Sequence, residues 1–147
     1  MGQPNVWSVA SLPSPDADAA DLVVNGLELS CAVPDGTAAE PPGATPFGLL
    51  AASLSACTAM SVRTFLQQWR IDPGAVTVRV GVHPGTPPML DRHVTVDSEV
   101  SVDLRQQLSA VVAGTPVTVL LRDAVTIRTV LTTGEASGAE PGQGRGD

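Results

Sequence analysis

The chain has no lysine and no tyrosine, and only 3% of its residues are aromatic. All basic charge therefore rests on arginine, the first being Arg63, and the net charge is −7. Nucleic acids and anionic membranes select for basic surface, so neither is expected as a partner. The missing tyrosine removes one possible general acid. Cysteine is scarce as well, with Cys31 and Cys57 alone. The N-terminal residues show neither the basic cluster nor the continuous apolar segment of a signal peptide. Two cysteines without an export signal point to free thiols in a reducing, cytoplasmic setting rather than to a disulfide framework.

Charge is also absent over a long internal stretch. No charged residue falls between Glu40 and Arg63, and Ala44–Val62 reads ATPFGLLAASLSACTAMSV. Small and apolar residues on every face suit a helix inside a protein. Pro46 fits the first turn with Thr45 as N-cap, and Asp72-Pro73-Gly74 provides a stop. A long central helix reaching Arg70 is predicted, with Cys57 near its middle. A membrane span is not expected, because Pro46, Gly48 and several hydroxyl residues interrupt the run and leave its apolar core short of the ~20 residues a bilayer needs.

At 147 residues the chain is long enough for one domain with a proper core. Val6–Ala10 reads as a short strand, followed by a linker from Pro13 to Asp21. Leu22–Val24 and Leu27–Val33 flank Asn25-Gly26, a two-residue hairpin signal. Alternation in the second arm puts Leu27, Leu29, Cys31 and Val33 on one apolar face, which makes Cys31 a buried spectator. Beyond the helix, Val76–Val82 and Val94–Val102 alternate cleanly around a turn-rich His83–Asp91, giving an antiparallel hairpin. Asp103 with Gln106 suggests a capping box for a helix ending at Gly114. Thr115-Pro116 starts a short second helix, and Ala124–Thr133 reads as a final strand. Residues 134–147 offer nothing to bury and are expected to be a disordered tail. Strands and helices in this order, with antiparallel hairpins, indicate an α+β domain.

Smaller constellations carry less. His83 and His93 with one distant cysteine fall short of a metal-ligand pattern. Asp16, Asp18 and Asp21 lack the glycine and distal glutamate of a calcium loop and read as a solvated linker. Neither a metal nor a cofactor is expected.

Two stretches carry a family resemblance. Residues 43–62, GATPFGLLAASLSACTAMSV, resemble the first cysteine motif of the OsmC/Ohr family of osmotically inducible and organic hydroperoxide resistance proteins. Residues 113–121, AGTPVTVLL, resemble its second motif, where Ala-Gly-Cys-Pro-Val is usual. The resemblance implies one OsmC-like domain over residues 1–133. It also implies an intertwined homodimer in which antiparallel sheet wraps long central helices. Active members are thiol peroxidases: one cysteine attacks a peroxide, a second closes a disulfide, and an external dithiol reopens it. An arginine from the N-terminal hairpin region and a glutamate ten residues before the cysteine support the attacking sulfur.

Carried over residue by residue, Cys57 holds the attacking, peroxidatic position. The glutamate position is Phe47, the resolving position is Thr115, and no arginine precedes Arg63. Arg63 lies six residues along the helix from Cys57 and so on a different face. Without a nearby cation the thiol is expected to stay protonated and to react slowly, unless Arg122 or Arg128 of a second subunit reaches it. Two functions follow. One is a one-cysteine peroxidase acting on organic hydroperoxides, with an external thiol reductant. The alternative is a catalytically lapsed dimer that serves as a scaffold or binds an apolar small molecule in a pocket lined by Phe47 and Leu54.

Overall fold

The computed structural model describes residues 5–34 and 43–134. In chain order they form β1 (Ser8–Ser11), β2 (Ala19–Val24), β3 (Leu27–Ala32), α1 (Pro46–Gln68), β4 (Val76–His83), β5 (Met89–Glu99), α2 (Val102–Ala113), α3 (Pro116–Leu121) and β6 (Thr126–Gly134). Three helices and two three-stranded sheets make this an α+β chain, as the sequence predicts. It divides into two compact units, Met1–Leu50 and Ala51–Asp147. The tail expected at 134–147 lies outside the described residues apart from Gly134, which ends β6. Residues 35–42 of the expected Pro34–Gly43 loop lie outside them too.

In the first unit β1, β2 and β3 form an antiparallel meander. Asn25 and Gly26 both take positive φ, 47° and 86°, the type I′ geometry that matches the twist of the flanking strands. The Asn25 side chain accepts from the Trp7 amide at 3.0 Å and ties the turn to the start of β1. Cys31 is buried, as its strand phase predicts, but Leu27 and Leu29 on the same face stay exposed within one chain. At the start of α1, Thr45 caps as expected: its Oγ1 accepts from the Gly48 amide at 3.0 Å.

The second unit holds the core. Leu54, Thr58, Val62 and Leu66 recur every fourth residue on α1 and are fully buried, one stripe along a helix. Val62 and Leu66 pack with Val94, Val96 and Val100 from β5 and beyond, and with Leu108 and Val112 of α2. As a whole, α1 is long and apolar enough, by length and composition, to cross a membrane. The expectation that it falls short does not hold on length. Its buried stripe, which includes a hydroxyl, is that of a core helix.

Strand β4 pairs with β5 antiparallel, from Val76 opposite Val96 to His83 opposite Met89. β6 then joins the other side of β5 in parallel, where antiparallel pairing throughout was expected. A parallel neighbour requires a crossover, and α2 and α3 supply it. The cap of α2 also differs from the expected Asp103 capping box. Ser101 is the N-cap, its Oγ accepting from the Leu104 amide at 3.3 Å, and Asp103 sits in the first turn.

Candidate functional site

Strand β5 alternates so that Leu90, Arg92, Val94 and Val96 all point inward, and all are buried. One of these four is an arginine. A buried guanidinium is costly unless its donors are satisfied, and here three threonines satisfy them. Nη1 donates to Thr58 Oγ1 of α1 at 3.1 Å and to Thr118 Oγ1 of α3 at 2.6 Å. Nε and Nη2 both donate to Thr129 Oγ1 of β6, at 3.2 and 3.0 Å. No carboxylate of the described residues bonds to Arg92, so its positive charge is held by neutral acceptors and left uncancelled.

Through Thr58, Arg92 is bonded to the residue that follows Cys57 on α1. Burial lowers the Arg92 pKa from its ordinary value, and electrostatic interaction with Cys57 acts in the opposite direction. Cys57 is a free, half-buried thiol on α1, one residue before Thr58. Thr58 is itself fixed, donating to the Leu54 carbonyl at 2.7 Å.

The predicted site residues fare differently. Thr115 is buried and its Oγ1 lies 2.6 Å from Thr118 Oγ1, so it joins the cluster around Arg92. Phe47 opens α1 and is 56% exposed. Leu54, expected to line a pocket with it, is core. Arg128, one of the two arginines expected to reach Cys57 from a second subunit, is engaged on its own chain: Nε and Nη2 donate to the Asp91 carboxylate at 2.6 and 2.8 Å, and His83 bonds the same carboxylate. Those two partners, Arg128 first, hold Asp91 below its ordinary value of 3.8. Arg122 caps the C-terminal end of α3. Asp16 accepts from Ser14 at 2.8 Å in a local turn. Among the described residues there is no group of three metal-ligating side chains.

Arg92 is the buried cation that reading the sequence missed. A strand starting at Val94 after a His83–Asp91 turn leaves Arg92 outside the strand, and the observed strand starts at Met89. Extending the alternation back from Val94 places Arg92 on the apolar face, where a charged residue marks a site.

The OsmC-like protein family matches residues 35–130. Among solved structures, an organic hydroperoxide resistance protein from Elizabethkingia anophelis superposes with a TM-score of 0.71 at 17% identity, over 90% of this chain and 99% of that one. An OsmC-like protein from Mycoplasma pneumoniae gives 0.70 at 15% identity, over 90% and 97%. The organic hydroperoxide resistance protein OhrB of Bacillus subtilis gives 0.64 at 16%, over 87% and 98%. At these identities the likeness is one of fold. Comparison with curated proteins finds no match.

Proposed function

The chain belongs to the OsmC-like protein family, and from that premise we propose that it is a one-cysteine organic hydroperoxide reductase in which Cys57 attacks and Arg92 stabilises the attacking sulfur. The observation that carries this reading is the buried Arg92 guanidinium, held by hydroxyls alone among the described residues, one of them that of Thr58, the residue after Cys57. Families of this kind are associated with peroxide resistance and stress response, and a cation beside the sulfur is what that chemistry demands.

In the proposed cycle the Cys57 thiolate attacks the outer oxygen of the hydroperoxide. An S–O bond forms as the O–O bond breaks, and the alkoxide leaves and takes a proton to become the alcohol. Cys57, oxidised by two electrons, is left as a sulfenic acid. Arg92, itself buried, lowers the barrier by stabilising the negative charge on the attacking sulfur. With Thr115 in the resolving position, an external thiol condenses with the sulfenic acid to give a mixed disulfide and water. A second external thiol then displaces Cys57 and restores it. Treating the protein at neutral pH with one equivalent of cumene hydroperoxide should produce sulfenic acid on the Cys57 peptide within seconds, trapped by dimedone and read by mass spectrometry. The buried Cys31 peptide should stay unmodified. Minutes-slow or equal labelling of the two peptides would refute the reading.

The same proposal places the chain in a homodimer. Within one chain α1 leaves Phe47 and Met60 more than half exposed, and the first unit does the same with Trp7, Val9, Leu12 and Leu27. Apolar exposure on this scale marks an interaction surface, and a second copy would cover it. Sedimentation at micromolar concentration should give a dimer mass, and a compact monomer would overturn this. A reducing, cytoplasmic setting fits the two free thiols.

A further inference from the structure

Thr115 occupies the position that the family resemblance assigns to a resolving cysteine, and it also opens α3 with N-cap backbone angles, φ −64° and ψ 149°. An N-cap threonine ordinarily accepts from a backbone amide two or three residues on. Thr115 makes no such bond. Its hydroxyl goes to the side chain of Thr118 at 2.6 Å, and both residues are buried. Thr118 in turn accepts from Arg92 Nη1 at 2.6 Å, the shortest of the guanidinium's bonds, and is oriented toward the Val112 carbonyl at 3.5 Å. Whichever hydroxyl donates between the two threonines, Thr118 keeps a lone pair for Arg92.

We infer that Thr115 is a positioning residue: its hydroxyl fixes Thr118, and Thr118 fixes the Arg92 guanidinium, which also bonds Thr58, the residue after Cys57. This rests on the reading that Arg92 stabilises the Cys57 thiolate. The place of a resolving thiol is thereby used to support the attacking one. A cysteine there would be a weaker donor and acceptor than the hydroxyl. The partners that reach Arg92 from α1, α3 and β6 are Thr58, Thr118 and Thr129, none of which titrates, and its electrostatic interaction is with Cys57. A change in the pH profile of Cys57 on altering Thr115 therefore reports the placement of Arg92.

The test is the pH dependence of iodoacetamide alkylation of Cys57 in the full chain, with urea denaturation alongside. Thr115→Val, which keeps shape and removes the hydroxyl, should move the profile to higher pH by about half to one unit. Thr115→Ser, which keeps the hydroxyl, should leave it at the wild-type position. If Thr115→Val fails to fold, Thr115→Ala reads the same quantity. A Thr115→Val or Thr115→Ala profile superimposable on wild type overturns the inference, whatever happens to stability. So does a serine variant shifted as far as valine. Arg92→Met separates the two levels. If it shifts the profile and Thr115→Val does not, only the role of Thr115 falls. If neither shifts it, the reading of Arg92 falls as well.

Discussion

Arg92→Met is expected to slow oxidation of Cys57 by an organic hydroperoxide about ten- to a hundredfold at pH 7, while leaving stability unchanged or slightly raised. The rate follows from charge. Removing a cation disfavours the thiolate relative to the thiol, so the ionised, reactive fraction at neutral pH falls and the rate profile moves to higher pH. Well above neutrality, where the sulfur is ionised in both proteins, the two rates should converge. The stability follows from what the threonines keep. Thr58 still donates to Leu54 and Thr118 still bonds Thr115, while Thr129 sits exposed on β6 and can turn to water. No buried hydroxyl is orphaned, and the desolvation cost of a guanidinium without a carboxylate disappears. A site whose loss steadies the fold is one maintained for activity. Rapid-quench mass spectrometry across pH, with urea titrations, measures both halves. An unchanged rate at pH 7 would send the search for the cation elsewhere, and a collapse of the fold would make Arg92 structural.

Leu66→Ala should act in the opposite sense, costing about 2–5 kcal/mol of unfolding free energy without moving the pH profile of Cys57. Leu66 is fully buried among Val94, Val96, Val100, Leu108 and Val112. Those neighbours come from β5, the segment after it, and α2, each pinned by its own backbone bonds, so the cavity left by the missing carbons cannot close. Urea denaturation at one fixed protein concentration is the appropriate measurement, since assembly would add to stability by mass action. A loss well under 1 kcal/mol would mean that this helix face is not packed as described.

How much of this is legible in the sequence varies with the physics involved. Elements governed by local chemistry can be read. The Asn25-Gly26 turn demands two positive φ values and has the residues that tolerate them. The Val76–Val82 alternation sets one face inward. The Cys57 and Thr115 motifs fall on the helices expected of them. Elements governed by what lies across from a residue cannot. Nothing local distinguishes an Asp103 cap from the observed Ser101 cap two residues earlier. Nor does the sequence state that β6 adds in parallel. Arg92 lies between these cases. Its strand phase is a local signal, but its partners come from three other elements, and a search for an arginine upstream of Cys57 looks on the wrong side of the helix.

The parallel placement of β6 sets the order in which the surroundings of Arg92 assemble. Arg92 takes its acceptors from residues 26, 34 and 37 positions away, and the farthest, Thr129, arrives only after the crossover through α2 and α3 has closed. Closing long loops costs entropy that later contacts must recover, so the guanidinium is fully seated only when α3 and β6 dock. A nascent chain that ends before residue 129 can pair β4 with β5, yet it cannot complete the set of hydroxyls that holds Arg92. The placement of Arg92 on which the proposed function relies is thus completed only by the final docking step.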